Sequence, residues 1–250
     1  MPDTPDKFAA TEHDAETVGP VSAATDRLLA TTERLDTAAL RGPSLCPGWT
    51  RAHVLAHIAR NADALTNLLI WASTGEEKPM YPSVEVRNAE IEKGAHHERD
   101  ELLADLRESA ERFSTAIAKV PEDGWERQVR TGPAASGRTI PARRVVWLRF
   151  QEVEIHHVDL DAGYTSDDWP APFVARALGE ALRAVGRRDD VPPFTAVVDG
   201  EQERIGDGGS VTVHGSRPAM LAWLTGRSSG SDLRAEPAGQ LPAIPDGAWL

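Results

Sequence analysis

The chain has 250 residues, 27 Lys and Arg against 39 Asp and Glu, a formal net charge of −12 and one cysteine. With no Lys/Arg block to offset it, this acidity excludes nucleic acid and anionic membranes as partners, and an anionic substrate must meet local arginines. A lone Cys46 rules out an intramolecular disulfide, a CxxC redox pair and a four-thiolate zinc site, fits a reducing cytoplasm, and leaves length enough for one large domain or two modest ones.

Residues 1–16 are polar and acidic, lack the apolar core of a signal peptide and are expected to form a flexible leader. No run is long enough to span a bilayer as a helix. Apolar positions at Val21, Ala24, Leu28, Leu29, Leu35 and Leu40 predict a first helix from Pro20 to Leu40, stopped by Gly42 and Pro43. A turn-rich loop from Ser44 leads to Thr50 as the N-cap of a second helix, Arg51 to Ser73, which Gly75 closes. Its stripe of Val54, Ile58, Leu65, Leu69 and Ala72 suits a bundle member. His53 and His57 stand one turn apart on the flank, His57 nearer the centre; without a partner, each reads as a capping or surface histidine.

A third helical region covers Val84 to about Val120, with a break expected near Gly94 to His97. After a stretch from Pro121 to Gly137 rich in Gly, Pro and charge, a fourth helix is predicted from Arg143 to Leu160, with Pro141 tolerated at its first turn. Four long helices with short or moderate connections predict a four-helix bundle over residues 17–164, a fold whose interior can hold a metal. Beyond it the pattern changes. A helix from Trp169 to about Val185, short β-like runs at Phe194 to Val198 and Val211 to His214, and a helix from Pro218 to Thr225 predict a small α/β domain over residues 165–250. The fold class is therefore α+β.

The fourth helix carries the chemistry. Glu152 and His156 are an i, i+4 pair on one face, and Asp159 at i+7 extends it. Val145, Leu148 and Ile155 share that face, so the polar groups must be paired or metal-bound, because burying them bare costs several kcal/mol each. Alone, such a pair is more often a weak surface contact. With a histidine from the second helix it becomes two imidazoles and one carboxylate, the ligand set of a catalytic zinc with a fourth position open. The same donors suit Ni, Co or Fe. Asp159 is either an acceptor that orients a ligand imidazole or an ordinary helix-end aspartate. No P-loop, GxGxxG or GxSxG competes, and Cys46, without a cationic neighbour in sequence, reads as structural.

The segments WTRAHVLAHIARNA at 49–62, WASTGEEKPMY at 71–81, Arg87-Asn88 and EVEIHHVDL at 152–160 resemble the mycothiol-dependent maleylpyruvate isomerases, which belong to the DinB-like metal-binding helical bundles. The resemblance covers nearly the whole chain after residue 20. It implies zinc ligands at His57, Glu152 and His156, in agreement with the helical-wheel choice of His57 over His53. It also implies a substrate-binding arginine at Arg87, and a substrate-binding and catalytic arginine at Arg227 in the small C-terminal domain. For Arg87 the plain alternative is a helix-surface ion pair; for Arg227, the Gly-Arg-Ser-Ser-Gly turn offers little structural work. The implied activity is cis–trans isomerisation of maleylpyruvate to fumarylpyruvate in gentisate breakdown. Zinc would hold the cosubstrate mycothiol as a thiolate, the nucleophile that a one-cysteine chain lacks. The expected enzyme is a cytoplasmic monomer acting on a small dicarboxylate. Two other readings stay open: a zinc-dependent mycothiol S-transferase, and a non-catalytic metal- or ligand-binding protein.

Overall fold

The structure, a computed structural model, describes residues 17–132 and 137–245; the expected leader at residues 1–16 lies outside the described residues. The chain divides between Tyr164 and Thr165 into two compact units.

The first unit is helical. It contains α1 (Val18–Glu33), α2 (Thr37–Arg41), α3 (Arg51–Thr74), α4 (Val84–Ala95), α5 (Arg99–Ile117) and α6 (Arg144–Asp159). Helix α3 packs against α4, α5 and α6, while α1 packs against α5 and α6, so the four long helices make a four-helix bundle with α4 applied to one side of α3. That central place explains the composition of α3. Alanines at 52, 56, 59, 62, 64 and 72 are buried among Val54, Leu55, Ile58, Leu65, Leu68 and Leu69, and their small side chains let three neighbours approach. Each fully buried Leu or Ile contributes about 1.5–3 kcal/mol relative to exposure. Gly94 on α4 comes so close that a Cβ there would lie 3.0 Å from Cβ of Ala56.

The helix ends follow their capping chemistry. Thr50 accepts from the backbone of His53 to start α3, and Gly75 ends it in the left-handed conformation at φ 80°. Ser83 starts α4 in the same way. Two expectations are corrected. The single helix from Pro20 to Leu40 is two, because Asp36 caps a new start by accepting from Ala39 N at 2.7 Å. Pro141 does not begin the last helix. With Thr139 and Ile140 it forms strand β2, paired antiparallel with β1 (Gln128–Arg130), and α6 starts three residues later.

The second unit contains α7 (Ala171–Gly186), β3 (Phe194–Val198), β4 (Glu201–Ile205), β5 (Val211–Gly215), α8 (Arg217–Leu224) and β6 (Arg234–Glu236). Its sheet runs β4-β3-β5-β6, with β3 parallel to β5 and the outer pairs antiparallel. Asp199 and Gly200, both at positive φ, make the tight turn between β3 and β4. Periodicity does not reveal β4, because an edge strand written Glu-Gln-Glu-Arg-Ile turns mostly charged side chains to solvent. Phe173, Leu178 and Leu182 of α7, Phe194 and Val198 of β3, and Met220 and Trp223 of α8 are buried. No described helix in either unit is long and apolar enough to cross a membrane.

Candidate metal centre

The first unit brings His57 of α3 to the face of α6 that carries Glu152 and His156. Nε2 of His57 stands 3.0 Å from Oε2 of Glu152 and 3.0 Å from Nε2 of His156. The third side of this triangle, His156 Nε2 to Glu152 Oε2, is 3.4 Å. A tetrahedral ion bonded at about 2.0–2.1 Å sets neighbouring ligand atoms about 3.3–3.4 Å apart; the donor types suit such an ion, one edge matches its spacing and the two edges at His57 are about 0.3–0.4 Å shorter. Two imidazoles and one carboxylate leave one position for another ligand. The recess is not sealed: the side chains of His57, His156 and Glu152 keep 8%, 17% and 30% of their surface exposed.

The neighbours orient this triangle. Asp159, buried, stands 2.7 Å from Nδ1 of His156 through Oδ2. An acceptor there holds the Nδ1 proton and makes Nε2 the nitrogen that an ion would take in place of a proton. Cys46, from the loop before α3, sits with its sulfur beside the same two groups. Burial opposes the charge of Glu152, but hydrogen bonding with His156 and His57 and their charge hold its carboxyl well below the usual carboxylate range. Burial also opposes a charge on His156, yet its bonds to Asp159, Cys46 and Glu152 raise its pKa well above an ordinary histidine's. Burial lowers that of His57, helped by His156 and Arg87 against the pull of Glu152.

Arg87, on the first turn of α4, directs Nη2 at Nδ1 of His57 at 3.1 Å and donates from Nη1 to Oδ1 of Asn88 at 3.0 Å. Its guanidinium carbon lies 6.0 Å from the centre of the Tyr81 ring. The surface ion pair that its sequence position also allows is not what it makes. Trp49 covers the His57 ring at 5.6 Å between centroids. Sequence reasoning did not assign roles to Trp49 or Tyr81 or place Cys46 beside His156; the loop that carries Trp49 and Cys46 has no periodicity, and its one signal is the Thr50 cap where it ends.

His53 does different work. Its Nδ1 lies 2.7 Å from Thr50 Oγ1 and its Nε2 3.2 Å from Glu92 Oε2, which makes it a capping histidine. Arg227 belongs to the second unit, just after α8. Contrary to the view that its turn gives it little structural work, its backbone N–H donates to Ala222 O at 2.7 Å and its Nη1 to Thr225 O at 2.6 Å, closing the helix end.

Two arginines lock the spacing between α3 and α6. Arg51, at the start of α3, donates from Nε to Leu160 O at 2.5 Å and from Nη2 to Asp161 O at 2.8 Å. Arg149 on α6 is fully buried and donates from Nη1 to Ile58 O at 2.8 Å and Asn61 Oδ1 at 2.9 Å. His57 lies between these levels. Burial pulls the Arg149 pKa down to about 10, so the tie holds a cation where its charge is poorly solvated.

Residues 21–161 match the family model of the mycothiol maleylpyruvate isomerase N-terminal domain, and residues 168–246 match that family's C-terminal domain. A crystal structure of the mycothiol-dependent maleylpyruvate isomerase is 31% identical, covers 98% of this chain and 100% of its own, and superposes with a TM-score of 0.84. A histidine-to-alanine mutant of the mycothiol-dependent maleylpyruvate isomerase gives 30% identity, the same coverage and a TM-score of 0.86. YfiT from Bacillus subtilis, described as a probable metal-dependent hydrolase with an unusual four-helix bundle topology, is 16% identical over 64% of this chain and 90% of its own, with a TM-score of 0.51; it shares the fold alone. None of the curated proteins is significantly similar to the chain.

Proposed function

The chain belongs to the mycothiol maleylpyruvate isomerase family, and from that premise we propose that it isomerises maleylpyruvate to fumarylpyruvate with mycothiol as cosubstrate and zinc on His57, Glu152 and His156. The observation that carries this reading is the convergence of those three side chains from two helices, with an arginine beside them. A divalent ion held there would keep a thiol ionised at neutral pH, the form that attacks a double bond.

The chain's own residues supply the rest. Asp159 fixes the His156 ring, and Trp49 covers one side of His57. Arg87 brings a fixed positive charge to a protein whose net charge repels a dicarboxylate, and a guanidinium matches a carboxylate with two parallel donors. Addition of the thiolate to the cis double bond turns it into a single bond and places the electron pair on the conjugated carbonyl as an enolate. Rotation and expulsion of the thiolate restore the double bond as trans, so the cosubstrate is regenerated. Arg87 and Arg227 are assigned to the carboxylates and to the enolate charge.

The test is an ultraviolet assay of zinc-quantified protein with maleylpyruvate, with and without mycothiol, followed by product identification. Thiol-dependent fumarylpyruvate formation that stops on chelation is expected, and Arg87→Ala and Arg227→Ala should each depress it severely. Consumption of thiol into a stable adduct would replace the isomerase by an S-transferase. Full isomerase activity in both arginine variants would remove the roles given to them.

A further inference from the structure

Between α1 and α5 of the first unit lies a cavity of about 320 Å³. Its walls are apolar, with Val21 and Leu29 from α1 and Ala110, Phe113 and Ile117 from α5. Its exposed rim carries both signs, Asp26 and Glu111 against Arg107, which is itself paired with Glu33 at 2.6 Å. One lining residue comes from neither helix: Arg149 of α6, only 1% exposed. None of His57, Glu152 and His156 lines the cavity.

The tie to α3 uses only part of the Arg149 guanidinium. Nη1 makes both bonds, to Ile58 O and Asn61 Oδ1, while Nη2 is shut off from water and has no hydrogen-bond partner among the described residues. Glu152 and Asp63 act on its charge through space without bonding to it. A buried charged donor without an acceptor is unfavourable, and a carboxylate oxygen is the acceptor that answers it best. Apolar walls around a buried cation select an anion that carries a hydrocarbon part, and the spaces between helices of a bundle are common places for such sites. A phosphate or sulfate group would bring more charge than one nitrogen can answer, past the two acids at the rim. Size sets the tail. At about 30 Å³ for each water-sized group, 320 Å³ holds about ten, the heavy-atom count of a carboxylate of about eight carbons.

We propose that this cavity is a second ligand site, which takes a medium-chain monocarboxylate with its tail between α1 and α5 and its carboxylate on Nη2 of Arg149. The site is built from residues other than the metal triangle and does not depend on the isomerase reading.

The experiment titrates octanoate into the full chain, nitrogen-15 labelled and zinc-quantified. Acetate supplies the charge without the tail, and 1-octanol the tail without the charge. Octanoate should bind at least about 10-fold more tightly than either, the scale of one hydrogen bond to a charged group, and should shift backbone amides of α1 and α5 around the cavity. Ala110→Trp fills the cavity from α5 while Arg149 stays, and should cut octanoate affinity by about 10-fold or more. Arg149→Met keeps the bulk and removes the donor, and should bring octanoate down to the affinity of 1-octanol. Should that variant fail to fold, the comparison of octanoate with 1-octanol in the wild type still tests the guanidinium. Equal affinity for the two, or no saturable binding of octanoate, would overturn the proposal. Octanoate binding that persists in Ala110→Trp, or amide shifts confined to the neighbourhood of His57, Glu152 and His156, would place the anion elsewhere and overturn it as well.

Discussion

Asp159→Ala removes the carboxylate that faces Nδ1 of His156. The carboxylate is buried and stands 2.7 Å from Nδ1. Two losses follow. The His156 ring is left with a buried donor lacking a strong partner, which costs about 1–3 kcal/mol of folding stability. Its Nε2 is no longer aimed at the triangle, and partners of this kind are worth about 10–100-fold in metal affinity, or about 1.4–2.8 kcal/mol. Asp159→Asn retains an acceptor oxygen but not the charge, so its loss of affinity should be smaller than that of Asp159→Ala. Zinc affinity is measured by competition with a chromophoric chelator, and thermal unfolding is followed on the same samples. The Asp159 carboxylate also strengthens the hold of His156 on a proton, and its removal eases that competition; titrations at two pH values separate this from the orientational loss. Wild-type affinity in Asp159→Ala at both pH values would refute the reasoning, whatever happened to stability.

His57→Ala should abolish stoichiometric zinc binding, while His53→Ala, which loses contacts with Thr50, Glu92 and the Trp49 ring, should keep the metal and lose about 0.5–1 kcal/mol of stability; equal metal loss in both would overturn the ligand choice. Proton and ion compete for Nε2 of His156, whose pKa is raised, so zinc affinity should climb about tenfold per pH unit through neutrality and flatten above that pKa. A flat profile from about pH 6 to 7.5 would contradict it. Arg27 donates to the buried Glu154 at 2.6 Å, and burial already raises the Glu154 pKa against the pull of Tyr164 and Arg27. A carboxyl with a raised native pKa is at full stability below its unfolded value and loses it as pH rises through the native one. Arg27→Met lifts that pKa further, so its penalty should be about 1–3 kcal/mol at pH 7 and much smaller near pH 4, and equal urea-denaturation penalties at both would count against it. Gly209→Ala would push a Cβ to 2.2 Å from Pro193 O at the approach to β5, and should destabilise the second unit by about 2 kcal/mol or more; an unchanged melting profile would refute this.

What could be read in the sequence was what periodicity and capping encode. The stripes of α3 and α6, the Thr50 start, the Gly75 stop and the break near Gly94 are local signals, and each corresponds to a feature of the structure. The wheel position that favoured His57 over His53 is local too, and the structure sets His53 against Thr50 and Glu92 and His57 against Glu152 and His156. What escaped was set by partners distant in sequence. Pro141 looks like a helix start until Gln128 pairs with it, and Glu201 to Ile205 reads as a loop until Phe194 to Val198 lies alongside. Arg149 sits among apolar residues and gives no hint that it reaches the Ile58 carbonyl. The Arg87 contact with His57 spans 30 positions and two helices, and no spacing rule predicts it.

The ties made by Arg51 and Arg149 have an evolutionary consequence. They fasten α3 to α6 above and below the ligand pair, whereas Tyr81 and Arg87 arrive on the connection after α3 and the first turn of α4. The residues of the candidate metal triangle and the stretch that brings Arg87 to it are thus written in different parts of the gene. Change in the connection after α3 leaves untouched the two arginine ties that keep His57 in register with Glu152 and His156.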